Sequence, residues 1–246
     1  MSFSLKNFSI SITKSPLYHI TLRLTMLLFL ILLFKTAQTQ SLGSDFTCGK
    51  TITDADGNFY RTILIEDQCW MAENLRTGKY QDGSLILNVT EDMKWIESAT
   101  GAWSNYDNDP ANDAIYGKLY NWYAVGDDRK ICPVGWHVPS FRVWNALDEL
   151  IGSEVGYKMK SITGWMDDNS VSTRINGSNA SGFTGLPSGF RGGNGSFFNK
   201  GKGGYFWSST LTGDDAFSHY LTSNTHTLHF HYYDKKTGFS VRCVMD

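Results

Sequence analysis

Pro139-Ser140-Phe141-Arg142-Val143-Trp144-Asn145-Ala146-Leu147-Asp148-Glu149-Leu150-Ile151-Gly152 reads as the clearest helix of the chain. Ser140 is a good N-cap, because its hydroxyl can accept from the free N–H groups of a first turn. Val143, Leu147, Leu150 and Ile151 fall at i, i+4, i+7 and i+8 and share one face. Gly152 follows as a natural C-terminal stop. Met159 and Ile162 share a face in a second short helix over 156–162.

On the C-terminal side, 176–204 carries ten glycines in 29 residues, interleaved with Phe183, Phe190, Phe197 and Phe198, so the chain must turn repeatedly there. Beyond it, 205–209, 216–221, 225–233 and 238–245 read as successive strands of a β-meander, with polar turns between them. On the N-terminal side, 51–54 and 59–65 flank Asp56-Gly57-Asn58, a strong hairpin signal because Gly tolerates the positive φ of such turns. The D-x-D-G string also fits a calcium loop, but the Glu required at its twelfth position is Ile65. Residues 76–115 read as polar surface loop, and 116–125 is apolar and ambiguous between strand and helix. The fold class is α+β, with short central helices, twisted antiparallel strands and long Gly-rich loops.

Residues 1–40 differ from the rest. They hold Lys6, Lys14, Arg23 and Lys35 and no acidic residue, and from Leu24 to Phe34 run 11 mostly apolar residues. That length suits a signal h-region and is too short to span a hydrocarbon core of ~30 Å. Small residues follow, with cleavage expected near 37–40, and no Cys stands there to carry a lipid. The expected organisation is a signal peptide over 1–40, a linker over 41–47 and one domain over 48–246. No membrane span remains after signal cleavage.

Removing four basic and no acidic residues from 22 and 24 leaves 18 against 24, a net charge of −6. Such a domain has no electrostatic reason to bind nucleic acid. All four cysteines lie in the mature part, and an even count in an exported chain favours disulfides. Of three connectivities, Cys48–Cys69 and Cys132–Cys243 are favoured. The first pair flanks one hairpin and the second ties the chain's end to its middle. No C-x-x-C pair is present.

Several segments stand together in order: Thr53-Asp54-Ala55-Asp56-Gly57-Asn58, Cys69-Trp70-Met71-Ala72-Glu73-Asn74-Leu75, Tyr116-Gly117-Lys118-Leu119-Tyr120-Asn121-Trp122-Tyr123-Ala124-Val125 and Cys132-Pro133-Val134-Gly135-Trp136-His137-Val138-Pro139. Gly185-Leu186-Pro187-Ser188-Gly189-Phe190-Arg191, Phe206-Trp207-Ser208-Ser209 and Gly238-Phe239-Ser240-Val241-Arg242-Cys243-Val244 follow. The set closely resembles the Fibrobacter succinogenes major paralogous domain, a family abundant in exported proteins of Bacteroidetes and Fibrobacteres. The resemblance covers about 48–246 and implies a C-type lectin-like fold, distantly like the formylglycine-generating enzymes. That fold places a helix after the Trp-x-x-Pro stretch and closes with a Gly-Phe-x-x-Arg-Cys strand, in agreement with the Cys132–Cys243 pairing. The family brings no settled activity. The Glu-Pro-Asn and Trp-Asn-Asp strings that unite calcium and sugar in true lectins are absent, and fold alone does not confer binding. The reactive cysteine pair of the formylglycine-generating relatives has no counterpart once all four cysteines are bridged.

Candidate site residues follow from residue type. Trp103, Tyr106, Trp165 and Tyr205 lie in polar or Gly-rich context and are candidates for an aromatic sugar platform, against the plainer reading that they pack under loops. Asp107, Asn108 and Asp109 offer oxygens to a ligand or calcium, against ordinary turn chemistry. His229 and His231 would share a strand face as transition-metal ligands, against a solvated sheet face opposite Leu228, Phe230 and Tyr232. The expectation is an exported, non-catalytic recognition module of the bacterial envelope or exterior, secreted, periplasmic or at the cell surface, and without a required cofactor. It would bind a glycan or a surface protein through aromatic loops. The alternatives are a metal-dependent enzyme built on the His-rich strand, and a self-associating structural protein.

Overall fold

The computed structural model describes residues 46–166 and 176–246. The expected signal peptide and most of the linker lie outside the described residues. Among the described residues no helix is long and apolar enough to cross a membrane.

The hairpin forms as its turn chemistry dictates. β1 (Thr51–Thr53) pairs antiparallel with β2 (Phe59–Ile65). Both Asp54 carboxylate oxygens are used inside the turn: Oδ1 accepts from the N–H groups of Asp56 and Asn58, and Oδ2 from Asn58 Nδ2 and the Tyr60 hydroxyl. This is the self-bonding that Asp favours in turns. β2 continues into β3 (Gln68–Met71), and the Cys48–Cys69 disulfide staples the hairpin's start to β3.

Residues 76–115 depart from the expected surface loop. They hold β4 (Leu87–Asn88), helix α1 (Asp92–Glu97), β5 (Ala102–Ser104), two 3-10 turns and helix α2 (Asp113–Tyr116). The reason is Trp95, which is fully buried and forms a small core with Val89 and Ala102. The ambiguous stretch resolves into both states: β6 (Leu119–Tyr120) pairs with β5, then helix α3 (Trp122–Val125) begins. Asn121 makes that switch. Its Oδ1 caps α3 through Ala124 N–H and also accepts from Ala102 N–H in β5.

After β7 (Trp136–His137), helix α4 (Phe141–Ile151) starts where the sequence places it, with Ser140 Oγ accepting from Val143 N–H and Gly152 at φ 70° beyond its end. Its buried face is rotated from the expected one. Trp144 and Leu147 are buried, with Val143 and Ile151 beside them, whereas Leu150 is exposed. Trp144 offers far more area than Leu150 and packs on Trp70, Phe183 and Phe206, and so decides the face. Helix α5 (Val155–Met159) is shorter than expected; Met159 is buried and Ile162 lies exposed outside it.

The Gly-rich stretch supplies β8 (Ser188–Arg191) and β9 (Phe197–Lys200). At Gly189 a side chain is barred twice, by a φ of 66° and by the backbone of Phe198 and Lys200 across the pair. β10 (Gly203–Thr212), β11 (Asp215–Thr222) and β12 (His229–Asp234) form the expected meander. They complete a five-stranded sheet in the order β12-β11-β10-β8-β9. The fourth expected strand does not extend it. Only β13 (Val244–Met245) is regular, and it joins β3 and β7 in the other five-stranded sheet, β1-β2-β3-β13-β7.

Residues 238–241 instead bridge across the molecule: Gly238 to Arg191, Phe239 to Tyr120 and Ser240 to Phe206. One extended segment therefore touches the three-stranded sheet (β4-β5-β6) and the meander sheet, then enters β13 of the third sheet. The Cys132–Cys243 disulfide, separated by 111 residues, fixes its end. Both disulfides have the connectivity expected from spacing.

Candidate functional site

Strand alternation gives the β11–β12 hairpin two distinct faces. In the observed register Phe217 lies opposite Tyr232 and His219 opposite Phe230 on one face. Ala216 and Tyr233, Ser218 and His231, and Tyr220 and His229 form the other. The capped N-terminus of α4 lays Phe141 on the first face, 4.5 Å between ring centroids from Phe217 and 5.1 Å from Phe230. Phe217 in turn neighbours Tyr232 at 6.4 Å. Phe230 is 56% exposed and Tyr232 51%, while Phe141 and Phe217 are half-buried. Two open rings thus stand on a floor of two more, carried by regular secondary structure rather than by a loop.

His219 underlies this face. It is buried, stacks on Trp144, and its Nδ1 has no hydrogen-bond partner among the described residues. Burial pulls its pKa down to about 3, so the ring stays neutral beneath the aromatic surface. The four rings of this surface carry one polar group, the Tyr232 hydroxyl. Contiguous exposed apolar groups of this kind mark contact sites more often than isolated exposed side chains do.

On the opposite face, His229 and His231 lie on the same side of β12, as alternation predicts. His229 Nε2 sits 2.8 Å from both the Thr225 and Thr227 hydroxyls, and its ring stacks on Tyr220 at 5.1 Å. Burial lowers its pKa, which favours the neutral ring. His231 is exposed and leans on the rings of Tyr232 and Tyr233. Among the described residues no three His, Cys, Asp or Glu side chains converge as a metal site.

The aromatic residues singled out by sequence context lie elsewhere and are not brought together. Tyr106, Trp165 and Tyr205 are buried. Trp165 Nε1 donates to Ser161 Oγ, and the Tyr205 hydroxyl accepts from Asn199 Nδ2. Trp103 is half-buried, donates to the Ile86 carbonyl and carries the Lys118 ammonium 4.5 Å above its ring. Polar neighbours in sequence here reflect hydrogen-bond partners for packed rings, not open platforms. Asp107 and Asn108 adopt left-handed φ of 55° and 56°. Asn108 Nδ2 donates to the Thr90 carbonyl, and Asp109 Oδ1 accepts from Ala111 N–H. That loop holds itself by turn bonds.

A cavity of about 170 Å³ lies where β3, β7 and β13 meet, lined by Asp67, Gln68, His137, Val143, Met245 and Asp246 among others. His137 Nδ1 and Asp246 Oδ1 are 2.6 Å apart there, both largely exposed. Sequence reasoning missed this pair, which is 109 residues apart, and no local motif signals it. The exposed ring pair on β12 has a signal in the alternation of 228–232, where it stands opposite the expected solvated His face.

The segments that carry the ordered motifs share one property. Asn74, Asn121, Arg191, Trp207, Phe239, Ser240 and Arg242 are all buried. Arg242 donates through Nε and Nη2 to Asn74 Oδ1 and through Nη1 to the Met71 and Phe183 carbonyls, with its guanidinium 4.3 Å over Phe183. Arg191 donates to the carbonyls of Gly195, Val89 and Thr90 and to Asp92, over Trp95. Burial lowers the pKa of both, and the ring of acceptors keeps them charged. The family model described as Fibrobacter succinogenes major domain matches residues 63–245. The chain belongs to this family. No curated protein and no solved structure matches it. In this Fibrobacter succinogenes major domain the matched span begins inside β2 and ends inside β13. It takes in the bridging segment, both buried arginines and the aromatic face of the meander sheet.

Proposed function

We propose that this domain is an exported, non-catalytic recognition module of the bacterial envelope or exterior, and that the face formed by Phe141, Phe217, Phe230 and Tyr232 is its contact surface. The single observation that carries the reading is the pair of exposed rings on β12, seated on two half-buried ones and held by helix α4. Export rests on the N-terminal sequence pattern, and two disulfides fit an oxidising compartment. A C-type lectin-like architecture is supported by three features. The capped helix follows Trp136, the Cys132–Cys243 bridge runs from middle to end, and β13 returns beside β3.

The range of ligand chemistries narrows on composition. Sugar platforms need hydrogen-bonding groups around their rings, and this face has three phenyl rings and one phenol. Apolar side chains of a surface protein suit it better than a glycan. The test compares the exported chain with a Phe230→Ala/Tyr232→Ala variant for binding to envelope proteins and to a glycan array. The expected result is a protein partner whose affinity falls at least about tenfold in the variant. Glycan binding that the variant abolishes would replace the partner class. Binding that the variant leaves intact, or no binding in either assay, would overturn the reading.

A further inference from the structure

β12 is an edge strand of the meander sheet, and among the described residues its edge differs from the others. β1 has three residues and β7 two, and the three-stranded sheet ends on two-residue strands. β9, at the far edge of the same sheet, is four residues long, with Asn199 at a φ of 60° and Lys200 at its end. Short strands, lysines and irregular backbone are the usual protections of a sheet edge. β12 runs six residues in unbroken register with β11, and 229–233 contains no Pro, Lys or Arg. Among the described residues no backbone hydrogen bond joins 229–233 to any element except β11.

The sequence of this edge is close to mirror-symmetric. Reading outward from His231, aromatic rings stand at every position: Phe230 and Tyr232, then His229 and Tyr233. We infer that a second copy of this chain pairs antiparallel with β12 about a two-fold axis at His231. Residues directly opposite in an antiparallel pair share a face. This register therefore sets Phe230 against the partner's Tyr232, His229 against the partner's Tyr233, and His231 against its own copy. Slipping by two residues one way puts Phe230 opposite Asp234; slipping the other way puts Tyr233 opposite Thr227. The His231-centred register is the one that matches ring with ring at all five positions, and such cross-strand pairs are what stabilise a sheet junction. The product is one continuous sheet of ten strands, five from each copy, with both exposed aromatic faces on the same side.

The experiment is sedimentation velocity on the full chain, produced with export so that both disulfides form. A reversible dimer is expected. Tyr232→Pro, which removes an N–H that points to the open edge, should weaken it at least about tenfold. Phe198→Lys on the opposite edge should leave it unchanged. Facing Cα atoms in an antiparallel pair lie about 4.5–5.5 Å apart, within disulfide reach. His231→Cys should therefore cross-link to its own copy under oxidation, and this readout stands where the proline variant fails to fold. A monomer at every concentration, a dimer indifferent to Tyr232→Pro, or a dimer in which position 231 does not cross-link would each overturn the inference. So would a monomer whose β12 edge captures an extended segment of another protein. None of these readouts uses an envelope partner, so failure here leaves the contact-face reading standing.

Discussion

Trp144 stacks on His219 with ring centroids 5.2 Å apart and 18° between the planes, joining helix α4 to the meander sheet directly under the exposed aromatic face. The contact holds the imidazole where water cannot reach it, and burial pulls its pKa down to about 3. In the unfolded chain an imidazole titrates near 6.5. Between those values the unfolded state binds the extra proton, so stability falls as pH drops from about 6.5 toward 3. At pH 5 the loss attributable to His219 is about 2 kcal/mol. Urea unfolding at pH 7.5 and pH 5 should show it, and His219→Phe should remove about that much of the difference.

Arg242 has no carboxylate within ion-pair distance among the described residues, and Asn74 Oδ1 takes two of its N–H groups. Asn74→Leu leaves those donors buried and unpaired around a fixed charge. The expected cost is about 3 kcal/mol, measured as a drop in the urea midpoint with an unchanged slope.

Lys160 is fully buried, and its ammonium donates to the carbonyls of Thr222, Ser223 and Thr225 at 3.1 to 3.4 Å. It acts as an internal cation that gathers the turn leading from β11 to β12. Lys160→Met removes the three donors and leaves the carbonyls behind. Amides of 222–226 should exchange at least about tenfold faster by mass spectrometry, with β10 unaffected.

The two disulfides close loops of different length, with separations of 21 and 111 residues. On the chain-entropy account, replacing Cys132 and Cys243 by Ser costs about 5 kcal/mol and replacing Cys48 and Cys69 about 3 kcal/mol. Equal losses in thermal unfolding would count against that account for this domain.

Much of the local structure is legible in the residues. Ser140 and Gly152 bound α4, Asp54 and Gly57 make the hairpin turn, and the alternation of 228–233 separates the two faces of β12. Each of these depends on neighbours within a few positions. What sequence reading loses depends on distant partners. Trp144 displaces Leu150 from the helix face because Trp70, Phe183 and Phe206 arrive from three other elements. The 238–241 segment looks like one more meander strand, yet its pairing groups are claimed by Tyr120, Arg191 and Phe206. At the candidate site, polar neighbours in sequence do not distinguish an open ring from a packed one. Tyr205 instead uses Asn199 as its buried partner, while the open rings, Phe230 and Tyr232, sit in the most strand-like pattern of all.

The bridging segment 238–243 has a consequence in time as well as in space. It bridges to the three-stranded sheet and the meander sheet and leads into β13 of the third, and its disulfide ties it back to Cys132. Earlier hairpins can form on their own, but closing them into one core must wait for residues more than a hundred positions downstream of Cys132 to emerge. A polypeptide wired this way stays open until residues 238–243 are made. Its hairpins become one core only when that segment is in place.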